Sequence, residues 1–263
     1  MDLKLKGKRA IITGASRGLG FAVASTLAEE GTEIILNARN ETALRNAATT
    51  IRNRSAVGVI PIPGDITEPE TPLLLLEAAQ SHFGGVDLLL TNAGGPPPGP
   101  FDSFSDLDWN KSVELSFLSH VRLIRSILPA LRESSSASIL TVTSFSVKQP
   151  LPNLVLSNSI RAATVGLTKS LALELGPAGI RVNSILPAWT DTERVHELME
   201  ARAKNNKTSI EEEIGKLTRE SPLGRFGTPQ EFANAAVFLL SPAASYITGV
   251  MLTVDGGFYK GTQ

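Results

Sequence analysis

The sequence has no cysteine, few aromatic residues and no excess of either charge. The absence of cysteine excludes disulfides, thiolate metal sites and a cysteine nucleophile. The 25 basic and 26 acidic residues give a formal net charge of −1, which offers no electrostatic footprint for nucleic acid or an anionic membrane. No apolar run is long enough to span a membrane, and the first residues lack the apolar core of a signal peptide. We therefore expect a cytoplasmic protein that binds neither nucleic acid nor membrane.

Histidine is also scarce, and the three that occur lack the spacing of metal ligands. The sequence therefore predicts no metal site. His120 lies one helical turn after Ser116. It either enters a site on that face of the helix or is a packing histidine.

Short β-branched runs alternate with longer helical patterns along the chain. The runs predict strands at 9–13, 33–36, 57–62, 86–91, 138–143, 181–186 and 250–254. The intervening patterns predict helices at 19–30, 41–52, 72–82, 107–133, 158–175 and 230–240. Such alternation implies right-handed crossovers between parallel strands. We predict a single α/β domain over residues 1–263, a Rossmann-type doubly wound parallel sheet of about seven strands with helices on both faces.

Two segments stand outside this alternation. Residues 94–100, GGPPPGP, form a stiff loop after the fourth predicted strand, and residues 189–228 form a long polar, helical excursion after the sixth. Ligands of open α/β sheets bind outside the carboxyl ends of the strands. We therefore expect both segments to flank the site, the second as a substrate lid. Within it, the run EEE at 211–213 is typical of a solvated helix face.

A glycine-rich turn, TGASRGLG, follows the first predicted strand and opens a helix. Glycine lets the backbone turn tightly and approach a diphosphate, and the free N–H groups at the helix start bind the anion. The alternative is a turn without a ligand. The predicted cofactor-binding residues of this turn are Gly14, Ser16, Arg17, Gly18, Leu19 and Gly20.

The end of the second predicted strand favours NADP(H) over NAD(H). An NAD-binding chain usually carries an acidic residue there for the ribose 2′-hydroxyl, but this strand ends with Ala38 and Arg39. A guanidinium binds a 2′-phosphate that a carboxylate would repel. Arg17 offers a second cation. NAD(H) stays possible, because both arginines can instead be solvated surface residues.

The chain resembles the short-chain dehydrogenase/reductase family over nearly its whole length. The matching motifs, in order, are TGASRGLG, GDIT (64–67), NAG (92–94), TVTS (141–144), GLTKSLALEL, GIRVNSILP (179–187) and TGVMLTVDGG (248–257). The resemblance implies contacts to the adenine, to the adenosine ribose and on the nicotinamide side. The residues that it assigns to these contacts are Asp65, Ile66, Asn92, Ala93, Gly94, Pro187, Thr190 and Thr192.

Members of this family react through Asn, Ser, Tyr and Lys, and the resemblance places only one of these in this chain. Ser144 stands at the serine position, whereas Ser116, Ser157 and Arg161 stand at the positions of Asn, Tyr and Lys. The two tyrosines, at 246 and 259, have Val250 and Gln263 four residues on. No Tyr-x-x-x-Lys pair therefore exists in the sequence.

Three functions remain open. The first is an NADP(H)-dependent oxidoreductase for a small carbonyl or alcohol substrate, in which Ser157 and Ser144 hold a water that delivers the proton. Arg161 then binds the nicotinamide ribose, or it makes bidentate hydrogen bonds to a substrate carboxylate or phosphate. The second is a non-catalytic dinucleotide-binding protein with Ser157 and Arg161 as remnants of a lost site. The third is a hydride-free lyase like the halohydrin dehalogenases, although those lack the glycine turn and need Tyr.

Three residues after the sixth strand have further candidate roles. Asp191 and Glu193 either reach the substrate or cap the helix that follows, and Trp189 is a candidate apolar wall of the pocket. The family resemblance also implies a homo-oligomer, a dimer or tetramer, built on the helices at 107–133 and 158–175 and the last strand. The first of these helices keeps an apolar face with Phe117, Val121, Ile124 and Leu128.

Overall fold

The computed structural model of the protein describes residues 1–262 and contains one parallel sheet. Its strand order is β3-β2-β1-β4-β5-β6-β7. The strands are β1 (Arg9–Ile12), β2 (Glu33–Ala38), β3 (Val59–Pro63), β4 (Leu88–Thr91), β5 (Ser138–Val142), β6 (Arg181–Pro187) and β7 (Met251–Val254). The strands run outward from the centre of the sheet in both directions, from β1 to β3 on one side and from β4 to β7 on the other, so the order reverses between β1 and β4. The predicted doubly wound α/β fold is confirmed.

Helices cover both faces of the sheet. They are α1 (Gly18–Glu29), α2 (Glu41–Arg52), α3 (Thr71–Phe83), α4 (Asp106–Val113), α5 (Ser119–Arg132), α6 (Val155–Leu175), α7 (Glu193–Asn206), α8 (Ile210–Glu220) and α9 (Pro229–Leu240). Successive strand residues point to opposite faces. Ile12 accordingly packs in the core cluster that contains Leu27 of α1 and Phe232 of α9, whereas Ile11 packs with Leu75 of α3 and Leu123 of α5. This two-sided burial explains why the strands are almost entirely apolar.

The stretch predicted as one helix over 107–133 is helical from 106 to 132, but a π turn interrupts it. The chain forms α4, then a π-helical turn at Glu114–Leu118, and then α5. A π turn widens the hydrogen-bond spacing and releases backbone groups from the α-helical pattern. The carbonyl of Ser116 accepts a hydrogen bond of 2.7 Å from Oγ1 of Thr164 on α6. A partner on another helix therefore stabilises an irregularity that hydrophobic periodicity does not reveal.

The excursion at 189–228 is helical, as predicted, and consists mainly of α7 and α8. The run at 211–213 is not wholly solvated, because Glu213 is only 2% exposed. Its Oε1 accepts hydrogen bonds from Lys216 (2.6 Å), Thr208 (2.8 Å) and Asn206 (3.1 Å). The bond from Lys216, followed by those from Thr208 and Asn206, lowers the pKa of Glu213 to about 2. This carboxylate therefore ties α8 to the end of α7.

An ion pair joins the starts of two neighbouring strands. Asp87, which is 4% exposed, accepts hydrogen bonds from Nε (2.8 Å) and Nη2 (2.9 Å) of Arg9 and from the hydroxyl of Ser134 (2.5 Å). Burial by itself raises the pKa of Asp87. The hydrogen bonds from Arg9 and Ser134 outweigh burial, so the pKa lies below its ordinary value. The carboxylate therefore contributes stability above its ordinary pKa, and this contribution is lost as the pH falls through the lowered pKa.

We expect Asp87→Asn to lower the free energy of unfolding by about 3 kcal/mol at pH 7, because the substitution leaves the Arg9 charge without its partner. Urea unfolding followed by circular dichroism measures the difference. It should shrink as the pH falls through and below about 4, where the wild-type carboxyl also loses its charge. Asp102→Asn, at an exposed aspartate, is the control and should change stability by less than about 0.5 kcal/mol. A loss that is equally large at pH 7 and at pH 3 would contradict the ion-pair explanation.

Candidate active site

A cleft of about 1340 Å³ opens outside the carboxyl ends of the strands. All of the predicted site residues line it except Gly20 and Ser116. The loop after β4, the segment after β6 and the start of α7 form much of its wall. The cleft is large enough for a dinucleotide and a small substrate, since drug-sized ligands occupy about 300–1,000 Å³.

The glycine turn lies at the junction of β1 and α1. Gly14 and Gly18 have φ angles of 60° and 59°, which favour glycine. A methyl group at Gly20 would approach the carbonyl of Gly14 closer than 3.0 Å, with the carbonyl carbon at 2.9 Å. Gly20 therefore lies behind the turn and lets α1 pack against it. The first N–H groups of α1 have no intrahelical acceptor, and Arg17 at the N-cap forms no side-chain cap.

Asn92 clamps this turn from the end of β4. Its Nδ2 donates to the carbonyl of Gly14 at 3.3 Å. Its backbone N–H and carbonyl both bind the hydroxyl of Thr13, each at 2.9 Å. The residue that the sequence analysis assigned to a ribose contact therefore also fixes the shape of the turn. The first N–H groups of α1, beside a turn whose positive φ angles favour glycine, fit the diphosphate of a dinucleotide.

The two arginines assigned to a 2′-phosphate differ in their surroundings. The side chain of Arg39 is 77% exposed, and its Nη1 lies 3.8 Å from Oδ2 of Asp65. Arg17 instead pairs with Glu193 and lies 3.7 Å from Oε1 of Glu197, both on α7. Of these two arginines, Arg39 is therefore the one whose guanidinium, at the end of β2, is mostly exposed and not paired with α7.

Ser144 directly follows β5 and caps a short 3₁₀ turn, Phe145–Val147. The backbone N–H of Ser146 donates to the Ser144 hydroxyl oxygen at 3.2 Å. Because this bond uses the oxygen as an acceptor, the hydroxyl proton stays available to a ligand in the cleft. Ser157 lies in the first turn of α6, is half-buried and lines the same cleft.

Arg161 is held by the end of β5. Its Nη1 donates to the carbonyls of Val142 (3.2 Å) and Thr143 (3.0 Å). Burial, followed by the positive charge of Arg194, lowers the pKa of Arg161 to about 10. The guanidinium therefore stays charged at neutral pH. Within residues 1–262, no carboxylate lies within 4.0 Å of it.

Ser116, which the family resemblance places at a catalytic position, does not line the cleft. The residue is 1% exposed, and its buried hydroxyl has no hydrogen-bond partner within residues 1–262. The π turn directs this residue into the contact between the helices, where its carbonyl accepts from Thr164. His120 is also buried, with Nδ1 2.7 Å from the hydroxyl of Thr91. Burial, followed by the charge of Arg161, lowers the pKa of His120 to about 3, so this residue is a neutral packing histidine at physiological pH.

The excursion at 189–228 brings an aromatic side chain, Trp189, to the cleft. The Trp189 ring stacks on Phe226 at 6.3 Å, and the guanidinium of Arg202 lies 5.7 Å from the centre of the indole. Trp189 packs against the cluster of Phe145, Met199 and Phe258, among others. Neither acidic residue after β6 caps α7, because Thr192 does so by accepting from the Val195 N–H. Glu193 pairs with Arg17, and Asp191 binds His196.

Arg194 and Gly95 also line the cleft. The sequence analysis named neither as a site residue, although Gly95 belongs to the loop at 94–100 that was expected to flank the site. Arg194 lies in the first turn of α7, and its Nη2 donates to the carbonyl of Pro96 at 3.2 Å. Gly95 lies between Arg194 and Arg161. The position of Arg194 just after the predicted nicotinamide-side loop was a usable signal, but its approach to the proline loop depends on tertiary packing.

Residues 1–262 contain neither a metal-site cluster nor a helix that could span a membrane. No group of three or more His, Asp or Glu side chains there has the arrangement of a metal site. None of the helices in that part of the chain has the length and apolarity that a membrane crossing requires.

Comparison with known proteins identifies the family. The family model described as Enoyl-(Acyl carrier protein) reductase matches residues 14–259. The chain is 35% identical over 257 residues to 7alpha-hydroxysteroid dehydrogenase of Escherichia coli K12, covering 97% of this chain and 96% of that protein. The chain therefore belongs to the short-chain dehydrogenase/reductase family, and the resemblance noted from its motifs is confirmed.

Two solved structures are similar along their whole length. L-sorbose reductase from Gluconobacter frateurii, complexed with NADPH and L-sorbose, has a TM-score of 0.94 and 34% identity over 99% of this chain and 100% of that one. The NADPH-bound short chain oxidoreductase from Pseudomonas aeruginosa PAO1, which contains an atypical catalytic center, has a TM-score of 0.89 and 31% identity. That likeness covers 97% of this chain and 98% of the other.

Proposed function

We propose that the protein is an NADP(H)-dependent oxidoreductase that interconverts a carbonyl and an alcohol and uses a non-standard proton donor. The observation that carries this proposal is that the glycine turn and Ser144 line the same cleft. The relatives support it, because L-sorbose reductase was solved with NADPH and its sugar and the Escherichia coli relative is a hydroxysteroid dehydrogenase.

The glycine turn and the N-terminus of α1 would hold the diphosphate. Asp65, Ile66 and the segment Asn92–Gly94 would contact the adenosine, and Pro187, Thr190 and Thr192 the nicotinamide side, as the family resemblance implies. All of these residues line the cleft. A bound coenzyme would supply or accept the hydride. The rest of the reaction depends on what side chains do at the substrate oxygen.

Ser144 donates its free hydroxyl proton as a hydrogen bond to that oxygen and polarises it. Arg161, fixed by two carbonyls, keeps a positive charge nearby. Ser157 replaces a tyrosine whose oxygen would reach roughly 4 Å further, and a serine hydroxyl is a poor acid at neutral pH. The space that this shorter side chain leaves would hold a water, which Ser157 and Ser144 orient. This water would give a proton to the substrate oxygen and regain one from bulk water.

The preference for NADP(H) rests on Arg39. We expect calorimetric titration to give a lower Kd for NADPH than for NADH. Arg39→Ala should raise the Kd for NADPH about 10- to 100-fold, the loss of about 1.4–2.8 kcal/mol from one charged contact to phosphate. The Kd for NADH should change less than about threefold. Arg54→Ala, at an exposed arginine outside the cleft, is the matched control, and an equal effect of both substitutions would refute the role of Arg39.

Turnover tests the reaction itself. We expect purified protein to oxidise NADPH with some members of a panel of ketones, aldehydes and keto acids. Binding of NADPH without oxidation across the panel would instead favour the second candidate, a non-catalytic dinucleotide-binding protein. One observation favours that alternative: Tyr246 is fully exposed, and neither tyrosine is among the described residues that line the cleft.

A dimer or tetramer is part of the same proposal. Leu173 on α6 and Leu107 on α4 are exposed, which supports an assembly through these helices. The expected apolar face needs one correction, because Ile124 is buried in the protein's own core, where it packs with Leu123 and Ile127. Light scattering in solution gives the mass that tests the assembly. The cytoplasmic location and the lid role of 189–228 stay predictions.

A further inference from the structure

The cleft contains two arginines, Arg161 and Arg194, whose guanidinium groups have N–H donors that the described part of the chain does not use. Arg161 uses Nη1 for its two carbonyl contacts, and no hydrogen bond from its Nε or Nη2 is found within residues 1–262. Arg194 donates from Nη2 to Pro96 and from Nη1 to Glu197 at 3.4 Å. A guanidinium has five N–H donors. Both side chains therefore keep donors for a ligand.

The two guanidinium groups converge on one point. A methyl group built on Gly95 would lie 3.5 Å from Nη2 of Arg161 and 3.7 Å from Nη2 of Arg194. The two nitrogens are therefore no more than about 7 Å apart, a span that the oxygens of one carboxylate or phosphate bridge with ordinary charge-assisted hydrogen bonds. All three residues line the cleft.

The charges of the cleft point to an anion at this place. Its lining contains four arginines, at positions 17, 39, 161 and 194, but only two carboxylates, those of Asp65 and Glu193. Asp65 lies beside Arg39, and Glu193 is paired with Arg17. Within residues 1–262, Glu197 is the one carboxylate that pairs with either Arg161 or Arg194; it lies beside Arg194 and also faces Arg17. Two like charges this close repel each other, and an anion between them relieves the repulsion.

Gly95 keeps the space between the arginines open. Its φ lies outside the left-handed region, and a methyl group there would make only ordinary van der Waals contacts. The backbone therefore does not require glycine at this position. A side chain would, however, occupy the point on which the two guanidinium groups converge.

We infer that Arg161 and Arg194 form a binding site for a carboxylate or phosphate group of the substrate. The site thus selects anionic carbonyl or alcohol compounds. The selection of substrates rests on the proposed oxidoreductase function, whereas anion binding at the arginine pair does not.

The first test measures binding alone. Acetate and inorganic phosphate are titrated into the protein saturated with NADP⁺, and separately into the protein without coenzyme. We expect binding in both states, with the Kd raised at least about tenfold in Arg194→Met and in Gly95→Ala. Arg219→Met, at an exposed arginine on α8 outside the cleft, should bind like the wild type. Circular dichroism and the Tm establish that each variant is folded.

Three outcomes of this test overturn the inference. Neither anion binds, or binding disappears when NADP⁺ is present, which would assign the arginines to the coenzyme's own phosphates. A wild-type Kd in folded Arg194→Met and Gly95→Ala would also overturn it. None of these outcomes depends on turnover, so they differ from a failure of the proposed function, in which anion binding persists but NADPH is never oxidised.

The second test compares matched substrates. Pyruvate and its methyl ester, and dihydroxyacetone phosphate and dihydroxyacetone, are each assayed with NADPH. We expect the anionic member of at least one pair to have a kcat/KM at least about tenfold higher. Arg194→Met should remove that advantage through KM, whereas Arg219→Met should retain it. Equal kcat/KM values within both pairs, or a preference that survives Arg194→Met, would contradict the selection of anionic substrates.

Discussion

Gly20→Ala is expected to raise the Kd for NADPH at least about 100-fold, or about 2.8 kcal/mol of binding free energy. The added methyl group would overlap the carbonyl of Gly14, with the carbonyl carbon at 2.9 Å and Nδ2 of Asn92 at 3.0 Å. The turn must shift to relieve these contacts. Its N–H groups then lose their common direction toward the diphosphate. Calorimetry and quenching of protein fluorescence by NADPH measure the loss.

Gly166→Ala is the matched control for this substitution. Gly166 is exposed on α6, and a methyl group there would meet no heavy atom within 4 Å. Alanine is about 0.5–1 kcal/mol more favourable than glycine inside a helix, so the Tm should rise slightly and NADPH binding should not change. An unaltered Kd in folded Gly20→Ala would show that the diphosphate does not bind at this turn, and the proposed function would fail with it.

Sequence reasoning recovered the features that are local or strictly periodic. The composition of the apolar strands, such as Leu88–Thr91, is enough to predict that they are buried on both faces. The glycine turn is likewise local, because the left-handed φ angles at Gly14 and Gly18 restrict the residue type at those positions. The sheet and the position of the cleft follow from these elements, since parallel strands present their carboxyl ends at one edge.

Features that depend on a distant partner were not recoverable. Arg17 and Arg39 look alike in sequence, but α7 supplies carboxylates to Arg17 only. Ser116 stands at a catalytic position by alignment of motifs, and a π turn paired with Thr164 buries it. Glu213 lies in an acidic run but is buried among Thr208, Asn206 and Lys216. In each case the environment is set by an interaction between elements, which spacing along the chain does not encode.

The clearest example is the pair of Arg161 and Arg194. The first residue stands where the family places lysine, and the second lies in a segment without a motif. Their approach depends on where the loop at 94–100 places Gly95 and Pro96. An arginine that replaces lysine gains donors and loses the ability to release a proton. This change suits the recognition of an anion better than proton transfer.

Ser144→Ala is expected to lower kcat about 10²–10³-fold, the usual cost of removing one preorganised donor to a developing oxyanion. The hydroxyl accepts from the Ser146 N–H at 3.2 Å, so its own proton is free for the substrate oxygen. The Kd for NADPH should change less than about twofold. Loss of the bond to Ser146 should cost only about 1 kcal/mol of stability. Single-turnover oxidation of NADPH at saturating substrate measures the chemical step without product release.

Ser170→Ala is the control for Ser144→Ala, because Ser170 is an exposed serine of α6 whose hydroxyl binds only the carbonyl of Gly166. It should retain wild-type kcat. Ser157→Ala should lower kcat less than Ser144→Ala, because a water that still binds Ser144 keeps one of its two ligands. A kcat for Ser144→Ala within about threefold of wild type would exclude this hydroxyl as the group that polarises the substrate. If Ser157→Ala alone gave the larger loss, the Ser157 hydroxyl itself, and not a water bound by Ser144, would be the group on which proton transfer depends.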